Sequence, residues 1–195
     1  DSVHEDWGSH YASAMVRDHD AVADMVIDSS GNIYLTGYTT RSPFGISYYT
    51  VKYNTSGIEQ WSVSYDREIY NFPTAIEIDD FGNVYVTGYC YVSGADYDYA
   101  TIKYDAYGVE QWVARYNGTA NDKDYATALA VDNQGNVYVT GYSHRSFDIY
   151  DYATVKYNAS GIEQWVAHYT ETGDGWNKPV ALAVDNQGNV YVTGY

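Results

Sequence analysis

The chain is poor in several residue types that most domains use freely. It has one cysteine, Cys90, so no internal disulfide can form. That removes the strongest cue for an oxidising compartment without excluding one. Leucine occurs only at Leu35, Leu129 and Leu182, whereas a helical domain leans on Leu and Ala. Basic residues are few: 10 Lys and Arg stand against 26 Asp and Glu, for a net charge of −16. Nucleic acid needs a basic face to neutralise its phosphates, so nucleic acid is excluded as a partner. An anionic membrane surface is disfavoured for the same reason. No apolar run approaches the roughly 18 residues of a membrane-spanning helix, so no membrane insertion is expected. The first letters, "DSVHEDW", do not read as a signal peptide.

What the chain does have is aromatic and β-branched material. Twenty-five tyrosines and five tryptophans among 195 residues suit pleated surfaces, so the composition reads as all-β. The length is enough for one domain with a sizeable core.

Self-comparison is more informative still. "VDNQGNVYVTGY" at 131–142 returns unchanged at 184–195. The glycines of this motif, Gly31, Gly82, Gly135 and Gly188, recur at intervals of 51, 53 and 53 residues. A second motif keeps the same period and ends in "GIEQW" or "GVEQW" at Trp61, Trp112 and Trp165. Each period holds four strand-length segments without helical periodicity. "DNQG" and "NASG" share the form Asx-x-x-Gly. The Asx side chain caps the turn, and Gly supplies positive φ, so both read as tight hairpins. Accordingly Gly31, Gly57, Gly82, Gly108, Gly135, Gly161 and Gly188 are expected at positive φ. Lys52, Lys103 and Lys156 on strand three are expected to pair across to Glu59, Glu110 and Glu163 on strand four.

A four-stranded meander repeated in this way predicts a β-propeller of four-stranded antiparallel blades, with about four repeats. Strand one, uncharged in the later copies, is expected to line the centre. The chain reads as a single propeller over 1–195: a partial strand four in 1–20, repeats at 21–65, 73–116 and 126–169, and a partial one at 179–195. It opens on a fourth-strand motif, "EDWGSHY" (Glu5–Tyr11), and closes on a second-strand motif. An incomplete or circularly permuted propeller is therefore the expectation. The expectation is an open arc belonging to a longer propeller, or open blade edges satisfied by self-association.

The combination of D-x-x-G-N-V-Y-V-T-G-Y with downstream Y-A-T-V-K-Y-N and G-I-E-Q-W resembles the β-propeller repeats of secreted and surface-anchored bacterial proteins, called SBBP repeats. The resemblance spans essentially the whole chain. It implies a propeller and an extracellular or cell-surface bacterial location. Its motifs are strand and turn residues, so it implies no particular activity.

Chemistry-bearing candidates are sparse. The repeated Asp28, Asp79, Asp132 and Asp185 read as turn caps rather than calcium ligands, because "DNQGN" offers too few oxygens. Asp96, Asp98, Asp148 and Asp151, at the entry to strand three, are the weak calcium candidates; no other cofactor is expected. The histidines lack metal-ligand spacing. No G-x-S-x-G elbow occurs, and no catalytic residue is assigned. Cys90 reads as an idle thiol, and the three repeated tryptophans as inter-blade packing. Asn54, Asn117 and Asn158 open N-x-[ST] sequons.

Topology points to where a ligand binds. Turns one-to-two and three-to-four form a face of near-identical tight turns. Connections two-to-three and four-to-one form the other face, and these differ in every repeat. Variable loops on a rigid scaffold are the usual seat of recognition. Their aromatic residues Phe44, Tyr91, Tyr97, Phe147, Tyr150 and Trp176 are the candidate ligand-binding residues. The leading expectation is a non-enzymatic binding or scaffold module recognising a glycan or protein. The alternatives are a propeller hydrolase or lyase with an acidic central site, and an architectural repeat assembling through open strand edges.

Overall fold

The computed structural model describes residues 20–40, 45–92, 96–146, 149–170 and 175–195. All of the regular structure in them is β. Blade one is β1 (Ala21–Ile27), β2 (Ile33–Thr40), β3 (Ile46–Tyr53) and β4 (Glu59–Tyr65). Blade two is β5 (Asn71–Ile78), β6 (Val84–Tyr91), β7 (Tyr97–Tyr104) and β8 (Glu110–Tyr116). Blade three is β9 (Asp124–Val131), β10 (Val137–Ser146), β11 (Ile149–Tyr157) and β12 (Glu163–Tyr169). A two-stranded sheet, β13 (Pro179–Val184) with β14 (Val190–Gly194), begins blade four. Among the described residues every strand-to-strand ladder is antiparallel and between chain neighbours, the meander expected of propeller blades, with two isolated parallel bridges, Ile46 to Tyr70 and Tyr150 to Trp176, at the blade junctions. The first strands stack in series, β1 on β5, β5 on β9 and β9 on β13, which makes them the inner edge of the arc.

The turns are built as the letters require. Asp132 Oδ1 accepts the backbone N–H groups of Gln134 and Asn136, while Oδ2 accepts Asn136 Nδ2 and the Tyr138 hydroxyl. Asp28, Asp79 and Asp185 repeat this set. Both carboxylate oxygens are thus spent on the turn. All seven turn glycines lie at φ between 72° and 83°, in the region that costs an L side chain.

The strand-two glycine of "TGY" has a different cause. Gly37, Gly88, Gly141 and Gly194 each face a bulge in strand one, and a Cβ there would overlap a backbone carbonyl oxygen of that strand or, at Gly194, of Lys178 just before it. In the later blades a tyrosine hydroxyl from the preceding blade crowds the same spot. Tyr48 donates to Ala100 O at 3.4 Å and Tyr99 to Ala153 O at 3.2 Å. The tryptophans complete each interface. Trp61 Nε1 donates to Ala106 O at 3.0 Å, Trp112 Nε1 to Ala159 O at 3.1 Å, and their rings lie against Gly108 and Gly161. Cys90 is buried in the interface of blades one and two beside the Tyr48 hydroxyl, and burial pushes its thiol up to about 12.

One expectation fails. The repeated lysines do not pair with the repeated glutamates. A register shift after Lys52, Lys103 and Lys156 sets the lysine opposite Trp and the following Tyr opposite Glu. Successive residues point to opposite faces, so Lys and Glu part. Each lysine instead sits over a strand-two ring: Lys52 on Tyr34, Lys103 on Tyr85 and Lys156 on Tyr138, at 4.9, 5.1 and 4.9 Å.

Candidate functional site: an aromatic band on the variable-loop face

The last letter of each "TGY" places a half-buried tyrosine at the variable-loop end of strand two: Tyr38, Tyr89 and Tyr142. The entry to strand one places Phe72, Tyr125 and Lys178 beside them. The rings run on from blade to blade. Tyr38 meets Phe72 at 5.9 Å, Phe72 meets Tyr89 at 5.3 Å, and Tyr89 meets Tyr125 at 4.9 Å. Tyr125 meets Tyr142 at 4.9 Å, Tyr142 meets Tyr150 at 5.4 Å, and Tyr150 meets Trp176 at 5.0 Å. Tyr97 joins at 5.5 Å from Tyr125, Tyr91 at 5.6 Å from Tyr97, and Tyr70 at 6.1 Å from Tyr91. Lys178 Nζ closes the far end, 4.8 Å above Tyr142 and 4.6 Å above Trp176. These separations are those of mutually supporting edge and offset ring pairs.

Of the sequence-predicted ligand residues, the fold brings Tyr91, Tyr97, Tyr150 and Trp176 into this one band. Phe44 and Phe147 lie outside the described residues. Tyr38, Tyr70, Phe72, Tyr89, Tyr125 and Tyr142 were missed. Tyr38, Tyr89 and Tyr142 read as ordinary strand residues, while Tyr70, Phe72 and Tyr125 fell outside the repeat bounds; the recurring final tyrosine of "TGY" at the variable end was an available signal.

Polar groups frame the band. Asp96 and Asp122 share a hydrogen bond, and desolvation together with this bond raises Asp96. Against its own desolvation, the Lys123 N–H and Asp96 hold Asp122 low. His144 Nδ1 lies 2.8 Å from Asp122 Oδ2, and its ring is 5.1 Å from Tyr150. Deeper down are Asp98 and Asp124, only 7% and 1% exposed. Burial lifts both to about 6. Arg115, which bonds the Tyr65 hydroxyl and Glu68, opposes the shift at Asp98. Ser143 and the Gly118 N–H, 2.6 Å from Asp124 Oδ2, oppose it at Asp124. Arg145 Nε lies 3.2 Å from Asp151 Oδ2.

The calcium candidates do not gather. Asp98 and Asp151 are equivalent positions in successive blades, paired across to Cys90 and Ser143, so they serve different interfaces. Asp148 lies outside the described residues. Among the described residues no group of three or more His, Cys, Asp or Glu is placed to hold a metal ion.

Fold and site together define a β-propeller repeat protein with an aromatic variable-loop face. Two segments, residues 17–45 and 111–148, match the family model described as SBBP, beta-propeller repeat. Those two segments carry the repeat that this model describes. It is 32% identical over 117 residues to an uncharacterized WD repeat-containing protein of Acanthamoeba polyphaga mimivirus. That match takes in 48% of this chain and spans 8% of the relative's length. A solved fucose lectin from Kordia zhangzhouensis, in complex with methyl-fucoside, aligns over 76% of this chain and 99% of its own. Its identity is 16% and the TM-score 0.42.

Proposed function

We propose that the chain is a non-enzymatic binding module that takes a glycan on the aromatic band. The band itself carries this reading. It is a run of mostly half-exposed ring faces, with Tyr150 buried among them, fixed in place by their neighbours, so little side-chain entropy is lost when a ligand lands. Flat rings suit the C–H faces of sugar rings, and hydroxyls meet acceptors at Asp96, Asp122 and His144. Trp176, 54% exposed at the end of the band, is the most accessible ring. A secreted or cell-surface setting belongs to the same proposal.

The acidic-site hydrolase reading is less well supported. A general acid must reach its substrate, and Asp98 and Asp124 face blade interfaces rather than open solvent. Their raised values follow first from burial, with neighbouring carboxylates adding to it, Glu68 and Asp96 at Asp98 and Asp98 and Asp122 at Asp124.

The test is a panel of immobilised glycans, followed by titration of the best hit against the native chain, Trp176→Ala and Tyr125→Ala. Each variant is expected to weaken binding about tenfold. An empty panel beside capture of a peptide ligand moves the band to protein recognition. Glycan binding untouched by both variants refutes the site.

A further inference from the structure

We infer that the groove between blades two and three, on the tight-turn face, is a second binding site, one that takes a single neutral sugar unit by hydrogen bonds. It lies at the other end of the strands from the aromatic band and does not rest on that reading. Two adjoining cavities, of about 350 and 330 Å³, share Asn83, Lys103 and Ala159. One extends to Asn133 and Gln134 of the β9–β10 turn, the other to Gln111, Trp112 and Ser160. Volumes of this size hold a small ligand. Every wall belongs to blades two and three, each of four strands.

The turns spend some polar groups and leave others. Asp79 commits both carboxylate oxygens to its own turn and to the Tyr85 hydroxyl. Asn83 gives Nδ2 to Asp79 at 2.7 Å, which fixes the amide and leaves its Oδ1 as an acceptor. Gln111 likewise gives Nε2 to Asp105 Oδ2 and Val109 O, and keeps Oε1. Lys103 rests over the Tyr85 ring and makes no ion pair among the described residues, in a chain with 26 acids. The side chains of Asn133, Gln134 and Ser160 make no hydrogen bond among the described residues. The charges select the ligand. Asp79, Asp80 and Asp132 line the groove and repel an anion, while the Lys103 ammonium repels a cation. A neutral group with adjacent hydroxyls suits both signs: each hydroxyl donates to an amide or carboxylate oxygen and accepts from Lys103 or an amide N–H. The same set recurs one blade on, where Asp132, Asn136 and Lys156 meet Asn186 and Gln187 around about 280 Å³.

The experiment titrates the isotope-labelled whole chain with free glucose, galactose, mannose and N-acetylglucosamine, read by NMR. At least one sugar should shift the side-chain amide signals of Asn133 and Gln134 saturably, with half-saturation at about 1–10 mM. Asn133→Ser combined with Gln134→Ser restores the pair that blade one carries in its own turn, Ser29 and Ser30, so the fold is kept. Read on the backbone of Gly135 and Asn136, it should weaken binding about tenfold. Lys103→Met keeps an apolar stem over Tyr85 and should weaken binding several-fold. Trp176→Ala should leave these shifts unchanged, which separates the groove from the band. No saturable shift with any of the four sugars up to about 100 mM overturns the inference. So does tighter saturation by inorganic phosphate than by any sugar, or sugar binding indifferent to both the double variant and Lys103→Met.

Discussion

Gly141→Ala isolates the reason for the glycine in "TGY". Gly141 has no positive φ, so alanine is conformationally acceptable on β10. The obstacle is space. A Cβ would overlap the Tyr125 carbonyl oxygen, lie 2.5 Å from the Tyr99 hydroxyl and 2.7 Å from Ala126 Cα. Two of these atoms are backbone of β9 at its bulge, so they move only if the inner strand moves. The Tyr99 side chain is fully buried, and its hydroxyl is committed to Ala153 O. Displacing it gives up a hydrogen bond of about 1 kcal/mol. Overpacking the strand pair adds about 1–3 kcal/mol. The sum, about 2–4 kcal/mol, is a large share of a net stability of roughly 5–15 kcal/mol. Gly135→Ala in the same blade is the control. Its φ is +77°, but the nearest atoms to a new Cβ are at ordinary contact distance, Ala159 Cβ at 3.4 Å and Tyr85 Oη at 3.7 Å. Only conformational strain is paid there, about 1 kcal/mol. Urea unfolding of both variants measures the difference. If Gly141→Ala costs no more than Gly135→Ala, the crowding argument is wrong.

The buried carboxyls make a pH prediction. Asp98 and Asp124 bind protons more tightly folded, at about 6, than at the ordinary 3.8, so their destabilising effect is absent below pH 3.8 and fully present above pH 6. Stability should fall over that window by up to roughly 3 kcal/mol per group, and Asp98→Asn should flatten the fall; a rising curve contradicts the assignment. At Asp28 and Asp132 the turn hydrogen bonds outweigh desolvation and hold the carboxylates low, so their contribution is lost as pH drops below the usual carboxylate range. Asp132→Ala, which strands two backbone N–H groups, should cost about 2 kcal/mol in thermal or urea unfolding. Trp112→Phe should cost about 1 kcal/mol for the lost bond to Ala159 and more for packing, whereas Trp165→Phe should be nearly silent in the same assay.

How much of this was legible in the letters divides along a physical line. Local rules were readable directly. Asx-x-x-Gly names a capped turn because the cap and the positive φ are made within five residues, and all seven glycines adopt it. A repeat of four such strands that cannot cover its own faces must stack, so the blades and the packing role of the tryptophans followed from the period. Where a contact depends on register, letters were insufficient. The glycine turn inserts a bulge, and one residue of shift sends Lys52, Lys103 and Lys156 to the tyrosine face, away from the glutamates. The band shows the same limit. Tyr91, Tyr97, Tyr150 and Trp176 stood out because they lie in or beside loops, while Tyr38, Tyr89 and Tyr142 passed as part of the repeated strand motif and Tyr125 fell between repeats. Only the stacking of blade on blade decides that residues about 50 positions apart share one surface. Nor could composition reveal that Asp98 and Asp124 are buried: a carboxylate in a list of 26 acids is charged until a neighbouring blade excludes its water.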